Sequence, residues 1–217
     1  MKRFSILLAI LFCTSAGFAQ VEFQIFGGPH ISATDYSISG EKQPTQSKTG
    51  FHIGAGYKIP FEGILFFSPA ISYSMRGYKV QFNQPSYPPD LLAINNNTTF
   101  HEIDIDPLLQ FDLSKNPGHL FLKFGPSFNF ILFGKEKFDL ATGEAVDRSM
   151  TFSITNNYGR LNASLLGQFG FETKKGVSIL GYFSYGTVSM INEDQGPSVF
   201  NYMYGITIGK YIWKSKH

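Results

Sequence analysis

The sequence predicts an all-β chain: an eight-stranded antiparallel up-and-down transmembrane β-barrel behind an N-terminal signal peptide. Three observations predict it. Apolar residues recur at every second position in segment after segment, the segments come to an even number, and the connections between them alternate short and long. Alternation means strand, because successive side chains of a strand point to opposite faces. An even strand count with tight turns at one end and long loops at the other is the organisation of a barrel that crosses a membrane.

The opening segment "MKRFSILLAILFCTSAGFAQ" supplies the export signal. Lys2 and Arg3 are its positive start, Phe4 to Phe12 its apolar stretch, and Gly17-Phe18-Ala19 a small-x-small cleavage site, so residues 1–19 read as signal peptide and 20–217 as the barrel domain. The only cysteine, Cys13, falls inside the signal, and Phe12 in front of it does not suit lipidation. The exported chain therefore has neither disulfides nor thiolate chemistry. Without Lys2 and Arg3 the 18 basic residues fall to 16, equal to the 16 acidic ones, so no electrostatic case exists for nucleic acid. Twenty-three Phe, 11 Tyr and 22 Gly against one Trp suit a glycine-punctuated β protein.

Strands are expected near 21–32, 50–60, 64–80, 98–113, 119–134, 151–172, 177–191 and 200–213. The first and seventh are delimited by the punctuation around them. In the second, Phe51, Ile53, Tyr57 and Ile59 oppose His52, Gly54, Gly56 and Lys58. In the third, Leu65, Phe67, Ile71, Tyr73 and Met75 oppose Ser68, Ser72, Ser74 and Arg76. The fifth sets Leu120, Leu122, Phe124, Phe128, Phe130 and Leu132 against Lys123, Gly125, Ser127 and Asn129. The sixth sets Leu161, Leu165, Phe169 and Phe171 against Arg160, Asn162, Ser164 and Gln168, and the eighth Tyr202, Tyr204, Ile206, Ile208 and Ile212 against Asn201, Gly205, Thr207 and Gly209. Tight turns at 61–63, 114–118 and 173–176 face the periplasm; the longer segments near 33–49, 84–97, 135–150 and 192–199 are the extracellular loops.

The fourth strand, "HEIDIDPLLQFD", carries the sharpest pattern. Ile103, Ile105, Pro107, Leu109 and Phe111 lie on one face, and Glu102, Asp104, Asp106, Gln110 and Asp112 on the other. With the apolar face toward lipid, the acids point into the barrel. Eight strands leave an interior just wide enough for side chains to fill, and a carboxylate placed there needs a partner. Lys58, Arg76, Lys123 and Arg160 share the interior parity as cations, with Glu22 and Glu172 as further acids. Arg76 is expected to pair with Glu102 and Asp104, and Lys123 with Asp106 or Asp112.

The segments "FHEIDIDPLLQFDL", "LKFGPSFNFIL", "SLLGQFGFET" and "YGITIGKYIW", with the signal ending "FAQ", make the chain similar to the Bacteroidota-type outer-membrane β-barrel domain family that includes PorT. The likeness covers essentially the whole mature chain and implies the fold more than a task. PorT itself is implied in protein secretion. Asp104 and Asp106 make the fourth strand more acidic than the family pattern.

Competing chemistries find little purchase. The acid row as a catalytic dyad is set against a structural ion-pair plug, and same-strand acids pointing into a closed tube favour the plug. His30, His52 and His101 lie near expected upper strand ends, but His101 has the opposite parity and no metal-binding spacing occurs. "GAGY" at 54–57 has no following helix and no third glycine. Tyr202 and Tyr204 are expected at the outer interface and Tyr211 and Trp213 at the periplasmic one. The expectation is thus a monomeric barrel with no cofactor, no bound metal and no catalysis, in contact with outer-membrane lipid, open to protein partners in the envelope and not to nucleic acid. An outer-membrane enzyme acting on lipid or peptide at the extracellular rim is the alternative. A secreted, lipocalin-like barrel with the faces inverted is a third.

Overall fold

A computed structural model describes residues 21–152, 158–191 and 196–213, so the expected signal peptide lies outside the described residues. Among the described residues ten strands follow one another: β1 (Glu22–Ile38), β2 (Glu41–Lys42), β3 (Thr45–Glu62), β4 (Leu65–Gln81), β5 (Asn95–Asp112), β6 (His119–Asp139), β7 (Ala145–Ser149), β8 (Leu161–Glu172), β9 (Val177–Gly186) and β10 (Ser198–Trp213). Eight of them form the ring in the order β1-β3-β4-β5-β6-β8-β9-β10, and β10 pairs back onto β1, which closes it. Closure leaves no sheet edge, so every ladder group finds a partner without water. The remaining two, β2 and β7, are short arms on β1 and β6.

The turn side is built as expected. Gly63 and Gly176 take positive φ there, 61° and 73°, a conformation that a side chain would strain. The loop side differs from the expectation. Much of 33–49 is strand: β1 runs on to Ile38, turns at Ser39-Gly40, and β3 begins at Thr45. Similarly β6 continues to Asp139 and hairpins into β7, whereas β8 begins only at Leu161 and β9 stops at Gly186. The wall is therefore tall along β1 to β6 and low along β8 and β9.

Side-chain orientation divides the barrel into two storeys. On the turn side, Ile71, Ile105, Phe124, Phe169 and Ile208 face outward and stand more than half exposed, while Ser72, Asp104, Asp106 and Lys123 are buried inside. So wide an apolar band around a closed sheet suits hydrocarbon and not water. On the loop side the same alternation continues with its chemistry reversed. Tyr36, Tyr78, Val80, Phe100, Ile131 and Phe138 turn inward into one apolar cluster. Outward positions in the same rows are Lys79, Asn97, Lys135 and Lys137.

A bulge in β6 helps make the change. Glu102 pairs with Ile131 but His101 with Phe133, so the register slips by one residue. Leu132 and Phe133 both face outward, and beyond them the even-numbered Glu136 and Phe138 enter the barrel. A bulge places two residues opposite one and so re-aims the side chains beyond it. Phe82, Ala93, Met150, Tyr158, Met190 and Ile191 fold from the loops onto this cluster and cover the upper end. Each large apolar side chain buried this way contributes about 1.5–3 kcal/mol.

Candidate functional site: an axial charge network beneath an apolar cap

Arg76 anchors the centre of the barrel. Its strand pairs Ser74 with Glu102 and Ser72 with Asp104, so an arginine one row above can reach down to both acids. Nε contacts the Glu102 carboxylate, and the guanidinium lies 3.0 Å from Asp104 Oδ2 with all three side chains buried. Asp104 also accepts from the Ser74 hydroxyl and, at 2.6 Å, from the Asn129 amide. The relay continues around the wall: Ser164 donates to Asn129 Oδ1 at 3.0 Å and Ser184 to Ser164 at 3.1 Å. Five strands are thereby tied together by polar side chains within one layer.

A second cluster closes the turn-side mouth. Lys58 Nζ lies 2.6 Å from Asp112 and 3.2 Å from Glu172, over the Phe66 ring at 4.5 Å. Gln110 donates to the other Asp112 oxygen at 2.7 Å. His119 Nε2 completes the group, 3.0 Å from Asp112 and 3.6 Å from Glu172. This histidine escaped the sequence reading although its position is informative. It opens β6 at interior parity and pairs directly with Glu172.

Two of the expected interior charges need correction. Lys123 is buried inside the barrel, yet among the described residues it makes no ion pair; Asp112 is already held by Lys58 and His119. Its ammonium sits 5.4 Å from the Phe121 ring and faces, with Asp106, a cavity of about 50 Å³. Arg160 is exposed, not interior, and donates to the carbonyls of Ile131 at 3.3 Å and Leu132 at 3.2 Å. It occupies a bend just before β8 begins, so strand parity does not govern it. Glu22 is buried as its parity requires.

Among the described residues the upper storey contains one buried acid, Glu136. It accepts from Arg148 Nε and from the Tyr158 hydroxyl, each at 2.8 Å, and Asn96 donates to that hydroxyl at 3.1 Å. Arg148 also donates to the Pro89 carbonyl at 2.7 Å, so one acid ties three loop-side segments to the barrel. Sequence reading placed 135–150 in a loop and so missed it.

The histidines do not gather at a rim. His30 and His52 lie inside at mid-height, their rings stacked 5.8 Å apart. His52 bonds Thr207 at 2.9 Å and Tyr182 at 3.2 Å, and His30 bonds the Met75 carbonyl at 3.0 Å. His101 faces outward in a row of rings, Phe51–Tyr73–His101–Phe133, with centroids 6.0, 5.8 and 4.5 Å apart. Such a row at the top of the apolar band is an interfacial girdle. Tyr204 faces outward near the loop side. Tyr211, expected in the opposite girdle, is buried inside instead, because odd positions of β10 face the lumen; the Trp213 side chain lies outside the described residues. No cluster of three or more metal-ligating side chains occurs among the described residues.

A closed antiparallel ring, an apolar belt and an ion-paired core define the class of outer-membrane β-barrels. The family model for the outer membrane protein beta-barrel domain matches residues 18–192, and the chain belongs to that family. Among solved structures it is similar to Neisserial surface protein A, at 11% identity over 88% of this chain and 97% of that one, with a TM-score of 0.47. It is similar also to Ail, the attachment invasion locus protein of Yersinia pestis, at 14% identity over 88% and 99%, with a TM-score of 0.41. OprG of Pseudomonas aeruginosa is similar at 11% identity over 88% and 97%, with a TM-score of 0.41. No curated protein sequence matches the chain.

Proposed function

We infer that this outer-membrane barrel is a sealed scaffold that presents its loop side to a protein partner in the envelope. A structural role in a surface or secretion assembly is what a resemblance to the PorT-containing group would imply. The observation that carries the proposal is the segment between β4 and β5. It is pinned down by Tyr36 on Ser86 at 2.8 Å, by Arg148 on the Pro89 carbonyl and by buried Ala93. It nevertheless holds Leu91 and Leu92 in the open, 62% and 53% exposed. Adjacent leucines held exposed on a fixed loop suit a contact surface better than a solvated one.

The sealed axis supports the same reading. Ion pairs fill the lower lumen and the apolar cluster covers the upper one, so solute passage is not the task for which this interior is built. The experiment is copurification from gently solubilised outer membranes, comparing the unaltered chain with Leu91→Asp plus Leu92→Asp. A partner lost only from the double variant, with the barrel still folded, supports the proposal. An identical set of partners contradicts it, and steady single-channel conductance in planar bilayers would contradict the sealed axis.

A further inference from the structure

Above the outward aromatic row, the same strands carry cations. Register places Gln46, Lys79, Asn97, Lys137 and Asp147 side by side across β3 to β7, so Lys79 and Lys137 flank Asn97 on adjacent strands. One row lower, Lys135 stands beside Thr99. Lys48 reaches into the same place from β3, donating to Asn97 Oδ1 and the Thr98 carbonyl at 2.8 Å each. Four lysines thus flank Asn97 and Thr99. The acids nearby offset this only in part: Asp147 pairs with Lys137 at 2.6 Å and Asp139 accepts from Asn95 at 2.8 Å, so among the described residues Lys79 and Lys135 keep no acid partner.

The surface is concave as well as basic. A groove of about 670 Å³ runs across these five strands, within the range of small-molecule sites. The opposite wall carries nothing comparable. Among the described residues β1, β8 and β9 contain no lysine or arginine, and β10 only Lys210 near its turn-side end.

Height identifies the occupant. The two lysine rows stand two and four residues above the row of His101 and Phe133, which is roughly 7 and 13 Å along a strand. That is the depth of lipid headgroups when aromatic rings mark the edge of the hydrocarbon. The geometry points to a binding site for the phosphate-bearing headgroup of a membrane lipid on this one side of the barrel. Lys79 and Lys137 in the groove, with Lys135 one row below it, meet the phosphate, Gln46 and Asn97 supply amides for neighbouring hydroxyls, and the acyl chains lie along the belt below. The site rests on the membrane orientation of the barrel and is independent of the loop-side partner.

The test uses the full mature chain in phosphatidylcholine nanodiscs containing lipid A, with retained lipid counted by native mass spectrometry. The comparison is among the unaltered chain, Lys79→Gln plus Lys137→Gln, and Lys210→Gln. Each groove lysine removed is expected to weaken retention by roughly fivefold. Lys210→Gln should change nothing, and dephosphorylated lipid A should bind the unaltered chain as poorly as lipid A binds the double variant. Equal retention by the unaltered chain and the double variant overturns the site. Equal binding of a deacylated, phosphorylated sugar overturns the lipid as occupant. A chain recovered only from the aqueous phase overturns the membrane orientation itself, and with it this site.

Discussion

The two storeys of this barrel solve one packing problem in opposite ways. Below the Phe51–Tyr73–His101–Phe133 row the outer face is apolar and the interior is held by Arg76, Lys58 and their acids. Above it the outer face is polar and the interior is held by Tyr78, Phe100, Ile131 and Phe138. The same strands run through both. What changes is the solvent outside, and the interior takes whatever chemistry the outer face does not use. The lesson is that binary patterning reports surroundings and not fold: β4 keeps one inward and one outward side while its apolar residues change from outward, at Phe67 and Ile71, to inward, at Tyr78 and Val80.

The comparison breaks most visibly at the two cores. Arg76→Met strands Glu102 and Asp104 in the lower interior, and chemical unfolding in lipid vesicles should show a loss of about 3–5 kcal/mol. Replacing the whole group, with Glu102→Leu and Asp104→Leu added, should restore most of it, since an apolar filling of like volume is often as stable as a buried ion pair. Phe100→Ala is the matching change above and should cost about 3–5 kcal/mol by leaving a cavity. No charge compensation will rescue it, whereas a second apolar residue enlarged nearby should.

Smaller effects sharpen the boundary. Tyr158→Phe removes the hydroxyl that serves Glu136 and Asn96; the loss should be about 1–3 kcal/mol, with proteolysis between β7 and β8 accelerated before the barrel itself unfolds. The smallest effect is at Asp147, which is fully solvated. The Lys137 ammonium, by donating to its carboxylate, holds its pKa below the ordinary aspartate range. With the folded value lowered, the pair contributes above the ordinary range and its contribution disappears as pH falls through the lowered value. An NMR titration should therefore show Asp147 returning to ordinary behaviour in Lys137→Ala, with no measurable change in thermal unfolding.

Most of the lower storey was legible from sequence, because outward Ile103, Ile105 and Phe111 alternate with inward acids at period two. That parity, together with the similar heights of Arg76 and Glu102 on neighbouring strands, brings Arg76 to Glu102 and Asp104. It did not reveal which cation takes Asp112, because the choice depends on lateral register: His119 and Lys58 reach it and Lys123 does not. Arg160 was misplaced because a bend precedes its strand. The upper storey was largely illegible for a different reason. Residues 34–38 and 135–139 alternate as regularly as any strand, but with polar side chains outward, which reads as loop once lipid is assumed outside. The bulged residues opposite His101, Leu132 and Phe133, are ordinary apolar strand residues and do not announce the slip.

Spin-label accessibility along β5 locates the level at which hydrocarbon gives way to water. Labels placed singly at Thr99, His101, Ile103 and Ile105 in a reconstituted bilayer report contact with oxygen, which concentrates in hydrocarbon, or with a water-soluble nickel chelate. Oxygen contact is expected at 103 and 105, nickel contact at 99, and the crossover at 101. Oxygen contact continuing past 99 with no crossover, or nickel contact at 105, would contradict the two-storey arrangement.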